Sequence, residues 1–257
     1  MSATAGLQCG FGAPLGTVLA ELKGLAFSLI RLDLQDVDDA TTTALAQEVL
    51  DAGLQPLCII RRPEQMLAVP PACLMELGNE PDLEHFGWTP ESYGAAATDA
   101  VELALTYGLT LYVGAVSNLN RRGFEFLRTL PWADYPPQIR CSIHRYPETG
   151  SATKPHDGCH SRDGEVTRLR DIVGHRPLAC SEVGYSEAEW TAVEVACNMA
   201  YERQFWTDHH FDFCSAYQLN DGPEPDSPEQ YGFRRLDGTW KPVAYTFTSP
   251  PRAPRQA

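Results

Sequence analysis

The chain has 257 residues, 43% hydrophobic, 10% aromatic and 21% charged; that much apolar side chain builds a core and excludes a disordered chain. Its 20 basic and 34 acidic residues leave a formal net charge of −14, which repels phosphate backbones and excludes nucleic acid as an expected partner. No run of about 18 apolar residues occurs, so neither a membrane span nor a membrane partner is expected.

Short apolar runs alternate with segments of helical period from one end to the other. The start, Met1-Ser2-Ala3-Thr4-Ala5-Gly6, has neither a basic region nor an apolar core, so no secretory signal is expected. A cytoplasmic location follows, or a secreted one if a signal was removed. The first run is Leu7–Phe11, and Gly10-Phe11-Gly12 after it is too weak a phosphate turn for an open doubly wound sheet. The second is Leu29–Leu34, followed by a helical face of Leu45, Val49 and Leu50 that ends at Gly53. The third is Gln55–Ile60. Pro63 and Pro70-Pro71 then leave little room before the fourth, Ala72–Leu77, so the third helix is expected to be short or missing.

The clearest helix is announced by Thr89-Pro90-Glu91: Thr89 caps, Pro90 suits the first helical position and Glu91 suits the positive end of the dipole. Tyr93, Ala97, Ala100, Val101, Ala104 and Leu105 supply its apolar face, and Gly108 stops it. Runs five to seven are Thr110–Ala115, Ile139–Ile143 and Leu178–Ser181. A longer helical face follows on Trp190, Val193, Cys197, Tyr201 and Phe205, with Trp206 read as core and His209-His210 closing the helix. The eighth run is Phe211–Tyr217. Gly222–Glu229, with three prolines, reads as a loop and the tail from Ser249 as flexible.

Eight short runs with helical segments between them imply right-handed crossovers, a parallel sheet covered on both faces and a (β/α)8 barrel in one domain, residues 1–248, with 249–257 as the tail. Cys9, Cys58, Cys73, Cys141, Cys180 and Cys214 each fall in or beside an apolar run, which reads as core packing in a reducing compartment rather than a disulfide set.

In such a barrel the chemistry lies past the carboxyl ends of the strands. The second run carries Arg31 and is followed by Asp36; Arg61 and Arg62 follow the third. Gly78-Asn79-Glu80-Pro81-Asp82 follows the fourth, and Ser117 and Asn118 the fifth. His144-Arg145-Tyr146 follows the sixth, Glu182-Val183-Gly184-Tyr185 the seventh, and Tyr217-Gln218 ends the eighth. The barrel brings Glu80 and Glu182 to one mouth. Two facing carboxyls are what glycosidic bond cleavage needs, one to protonate the leaving oxygen and one to attack the anomeric carbon.

Met75-Glu76-Leu77-Gly78-Asn79-Glu80-Pro81 resembles the acid/base motif of the large (β/α)8 clan of retaining glycoside hydrolases, which includes cellulases, mannanases, β-xylosidases and β-glucuronidases. The resemblance runs from the second strand to the eighth and implies Glu80 as acid/base and Glu182 as nucleophile. It implies that Asn79 bonds the sugar 2-hydroxyl, that the Tyr146 hydroxyl touches the nucleophile in a His144-x-Tyr146 pattern, and that Arg31 holds the nucleophile ionised. The chain departs from the clan's pattern at Ile60-Arg61, where many members have a histidine. It departs again at Tyr217, where many have a tryptophan platform. Tyr217 can still stack on a sugar.

Several neighbours carry more than one reading. Tyr185 is expected to line the cleft. Trp88, Trp132 and Trp190 serve either as sugar platforms or as packing against the barrel. Glu76 faces a helix or solvent, or pairs with an arginine. His156, Cys159 and His160, with His144, resemble part of a zinc site, but the spacing matches no closed zinc motif, so the segment reads as a polar loop and no metal site or cofactor is expected. Short connecting segments favour a groove and endo-action. The expected activity is retaining hydrolysis of a neutral β-linked polysaccharide or oligosaccharide, β-glucan or mannan first. The alternatives are a β-glucuronidase or heparanase-like hydrolase using Arg61, Arg62 or Arg145, a metal-dependent hydrolase, and a non-catalytic sugar-binding barrel.

Overall fold

The computed structural model describes residues 4–9, 15–147, 150–222 and 230–249. Eight parallel strands, β1 (Thr4–Cys9), β2 (Leu29–Asp33), β3 (Gln55–Ile60), β4 (Leu74–Leu77), β5 (Thr110–Val116), β6 (Arg140–Arg145), β7 (Leu178–Val183) and β8 (Phe213–Ala216), close into a barrel in sequence order, with β1 pairing β8. The helices are α1 (Leu15–Gly24), α2 (Asp39–Asp51), α3 (Pro90–Tyr107), α4 (Arg121–Leu127), α5 (Arg162–Val173), α6 (Ala192–Asp208) and α7 (Pro242–Thr248). The expected third helix is a 3-10 segment, Pro63–Ala68, between the prolines that exclude a longer one. Gly10-Phe11-Gly12, most of the Gly222–Glu229 loop and the tail beyond Ser249 lie outside the described residues. No helix among the described residues is long and apolar enough to cross a membrane.

The caps follow local chemistry. In α3, Thr89 accepts from the Ser92 N–H, Ser92 returns a bond to the Thr89 N–H, Pro90 occupies the first turn and Gly108 closes in the left-handed region at φ 66°. Asp38 caps α2 and Thr191 caps α6 through a capping box with Glu194. The apolar face expected on α6 is used only in part, with Phe205 buried and Trp190 and Tyr201 packed against the core. Val193 is 72% exposed and Cys197 is exposed, while Val195, Met199, Glu202 and Trp206 face inward. Buried Glu202 is paired by Arg162 at 2.7 Å, so a charged residue sits on the inner face and apolar counting misplaces it.

Alternation along the strands divides the core in two. Leu29, Leu57, Tyr112, Ala179 and Phe213 form a layer inside the barrel near its amino-terminal end. Ile30, Cys58, Met75, Leu111, Cys141 and Cys180 point outward and join the helices in one large cluster. Cys58, Cys73, Cys141, Cys180 and Cys214 are buried free thiols, as packing residues should be; the Cys9 side chain lies outside those described.

Candidate active site

Above the apolar layer the interior turns polar. Arg31, inward from β2, is fully buried. Its Nε and Nη2 donate to Glu76 Oε1 at 3.0 and 2.5 Å, Nη1 donates to Glu182 Oε2 at 2.5 Å, and Nη2 donates to Asn79 Oδ1 at 2.8 Å and lies 3.1 Å from His144 Nε2. Nη1 also donates to Gln8 Oε1 from the neighbouring β1, where Gln8 is Arg31's partner in register. One guanidinium thus joins β1, β2, β4, β6 and β7. Glu76 is the arginine-paired residue of the readings above. Burial opposes its ionisation, but the Arg31 and His144 charges outweigh that and hold its carboxyl below the usual range.

Glu80 follows β4 on a strained backbone. Its φ is 43°, a left-handed conformation that costs an L-residue about 1–2 kcal/mol. Its N–H donates to the Ala115 carbonyl at 3.1 Å, beside a register shift in β5. Glu80 Oε1 lies 3.1 Å from His144 Nδ1.

Glu182 owes its aim to an irregularity. Cys180 and Val183 both belong to the outer cluster although they are three apart, so Ser181 and Glu182 between them both turn inward. The pairing of β6 with β7 shifts after Ile143, and His144 comes to lie opposite Glu182. The Tyr146 hydroxyl donates to Glu182 Oε1. Glu182 is 5% exposed. One donor atom from each of Glu80, His144 and Glu182 falls within 4.8 Å of the other two. That spacing would admit a cation, but Arg31 already bonds Glu182 and lies against His144, so a fixed positive charge opposes a second one.

Three tyrosines stand beside Glu182. Tyr146, Tyr217 and Tyr231 meet edge-to-face with centroids 5.7 to 6.1 Å apart. Gly184 makes this possible: a Cβ there would lie 2.9 Å from Tyr146 Cε1 and from Tyr231 Cδ1, and 3.2 Å from the Tyr217 carbonyl oxygen. Gly184→Ala should therefore push the Tyr146 hydroxyl off Glu182 with little loss of melting temperature, read by a crystal structure of the variant beside a thermal melt.

Arg31, Asn79, Glu80, His144, Tyr146 and Glu182 come together as the sequence implies, with Tyr217 alongside. Tyr185 does not join them. It is buried, and its hydroxyl donates to Glu202 at 2.8 Å, because that buried carboxylate needs a donor. Trp88 is half-buried, edge-on to Tyr93, with Arg61 over its ring; it lines a cavity of about 290 Å3 with Pro81, Asp82 and Phe126, outside the Arg31 network. Trp132 and Trp190 are packing residues, donating to Leu127 and standing against Tyr185 respectively. Arg145 is sealed behind β6 and bonds the Tyr146 and Lys154 carbonyls, so it is not free to take a substrate carboxylate. His156 joins it there, 2.7 Å from the Tyr146 carbonyl oxygen and 3.0 Å from Glu165. Among the described residues His156, Cys159 and His160 form no group of metal-ligating donors.

Gln8 and Tyr231 are site residues not singled out from the sequence, and Gly184 stands in the seventh-strand motif, which does not reveal its spacing role. Gln8 had a signal, a polar residue inside an apolar run; Tyr231 had none, since its approach depends on the path of the chain after β8.

No protein-family model and no curated protein sequence matches the chain. Solved structures share its fold. A family 39 glycoside hydrolase from the gut symbiont Bacteroides cellulosilyticus superposes with a TM-score of 0.71 at 15% identity over 96% of this chain and 64% of that one, so the chain spans less than two thirds of it. A family 128 endo-β-1,3-glucanase from Sorangium cellulosum superposes with a TM-score of 0.69 at 14% identity, covering 98% of this chain and 100% of that one. Cel5A of Thermotoga maritima, solved with cellobiose, gives 0.64 at 14% identity over 95% and 96%. These glycoside hydrolases share the closed eight-stranded (β/α)8 barrel with this chain.

Proposed function

We propose that the protein is a retaining β-glycoside hydrolase acting on a neutral β-linked glucan. The observation that carries this is the approach of Glu80 and Glu182 oxygens within 4.8 Å. Retaining carboxyl groups sit about 5–5.5 Å apart and inverting ones about 6.5–9.5 Å; a nearest approach of single oxygens within 4.8 Å favours the shorter class. The Sorangium neighbour is by name an endo-β-1,3-glucanase, which supports testing β-1,3-glucan first.

In this reading Glu182 attacks the anomeric carbon. The bond to the leaving oxygen breaks as Glu80 gives that oxygen its proton, and a glycosyl ester forms. Glu80 then takes a proton from water, the water oxygen bonds the anomeric carbon, and Glu182 departs as carboxylate. Arg31 and Tyr146 hold one oxygen of Glu182 each. Asn79 accepts from Arg31 through Oδ1, which fixes its amide and leaves the NH2 to donate to a sugar hydroxyl.

Glu80 and His144 share one proton across 3.1 Å. Burial opposes charge on His144, but the Glu182 charge and the Glu80 bond outweigh it, and the imidazole binds its proton more tightly than usual. Burial likewise opposes ionisation of Glu80, and the bond and charge of His144 outweigh it, so its carboxyl lies below the usual range. The pair therefore keeps its proton to above the ordinary imidazole value of 6.5. His144→Gln removes that reserve. Its alkaline limb of kcat/KM should move to lower pH, with activity lost at neutral pH before acid pH; a limb left in place would show that His144 does not share the proton.

The test is turnover of aryl β-glycosides and defined β-glucan oligosaccharides, with the anomer of the first product read by NMR. A β-anomer formed first supports the reading. An α-anomer first overturns retention, and binding without turnover on every sugar leaves a sugar-binding barrel.

A further inference from the structure

One buried charge plays no part in this chemistry. Lys241, at the start of α7, is 1% exposed, and a lysine is almost never sealed unless paired. Its Nζ donates to Asp221 Oδ1 at 2.6 Å and to the Gln230 carbonyl at 3.3 Å, and lies 3.3 Å from Glu187 Oε2. The same Asp221 oxygen accepts from the Gly232 N–H at 3.0 Å, and the Glu187 N–H donates to the Gln230 carbonyl at 3.1 Å. Residues on both sides of Tyr231 are thus tied to one ammonium group. The ties come from the loop after β7, the extension of β8 and the start of α7. The packing leaves no slack, since a Cβ on Gly232 would lie 2.1 Å from the Asp221 nitrogen.

We propose that Lys241 is a positioning residue for the nucleophile. It clamps Tyr231 edge-on against Tyr146, and so sets the Tyr146 hydroxyl on Glu182. This rests on the hydrolase reading above. The physical ground is that a buried ion pair adds little net stability over apolar groups of the same shape, whereas an ammonium with three converging acceptors admits one arrangement of the segments that carry them. Tyr231 stands 5.8 Å from Tyr146 and 5.7 Å from Tyr217, with Gly184 offering no further room beneath. A released Tyr231 leaves Tyr146 free to tilt.

The experiment removes the charges together, in Lys241→Met/Asp221→Asn/Glu187→Gln, so that no carboxylate is left buried alone. Turnover per folded molecule is compared with that of Tyr231→Ala and of the combined variant. The expected result is a fall of about tenfold in kcat with KM within about twofold, a similar fall for Tyr231→Ala, and no further fall when the two are combined. A crystal structure of the charge-free variant should show the Tyr231 ring displaced and the Tyr146 hydroxyl off Glu182. Parental kcat in the folded variant, or losses that multiply with Tyr231→Ala, would overturn the proposal. Lys241→Gln, which keeps a donor, serves if the charge-free variant does not fold; its kcat should fall part-way, and an unchanged kcat overturns the clamp. If the parent turns over no glycoside, the hydrolase reading fails, and the tyrosine positions in the crystal still decide whether Lys241 holds Tyr231.

Discussion

Glu182→Gln is expected to lower kcat on aryl β-glycosides by on the order of 10^4-fold or more while leaving the fold intact. The amide is nearly isosteric. Its oxygen can still accept from Arg31, and its NH2 can face the Tyr146 hydroxyl, which is able to accept. What is lost is the carboxylate that the proposed mechanism uses as nucleophile. The control is Glu80→Gln, whose loss should depend on the leaving group: an aryl group that departs as a stable anion needs no proton and keeps most of its first-step rate, whereas an alkyl glycoside loses nearly all of it. Steady-state kinetics on the two substrate types, beside a thermal melt, read both variants. A Glu182→Gln enzyme within tenfold of the parent would remove this residue from the role of nucleophile.

The second large effect is expected on stability. Arg31→Met takes away the guanidinium that faces Glu76 at 2.5 Å and Glu182 at 2.5 Å in a sealed interior, and stranding buried carboxylates costs about 3–5 kcal/mol. The pH dependence should change sign. In the parent the Glu76 carboxyl is held below its ordinary value of 4.5. Its contribution is in place above that value and lost as pH falls through the lowered one. Without Arg31, burial acts on Glu76 with less opposition, its pKa rises above the unfolded value, and the variant should gain stability as pH falls from neutral toward 4.5. Denaturant melts at a series of pH values measure both slopes. Arg31→Met/Glu76→Gln should recover part of the loss, and failure to do so would place the destabilisation in packing rather than charge.

The activity limits and the stability limits thus come from one network. From β2, Arg31 gathers Gln8, Glu76, Asn79, His144 and Glu182 from four other strands and their ends, and the chain accepts a left-handed Glu80 to bring the second carboxyl to it. The outer face of β6 repeats the strategy. Arg145 and His156 hold the Tyr146 carbonyl from behind, while Glu165 and Glu202 bond Arg162.

By itself the sequence determined the barrel, the strand ends that carry Glu80 and Glu182, and the curtailed third helix. These are local matters: short dense apolar runs for buried strands, caps and prolines at helix ends, and a motif whose residues are contiguous. The tertiary structure alone decided which way side chains face where the period breaks. The irregularity after Cys180 turns Glu182 inward, and counting along the strand cannot place it. It also decided where charges are buried. Tyr185 and Arg145 read as cleft residues until Glu202 and the Tyr146 carbonyl claim them, and the expected α6 face is rotated away from Val193 and Cys197 toward Val195, Met199 and the paired Glu202. Tyr231 and Lys241 reach the site through contacts between distant segments, which no spacing along the chain records. Such pairings depend on three-dimensional approach and on the cost of leaving a buried polar group alone.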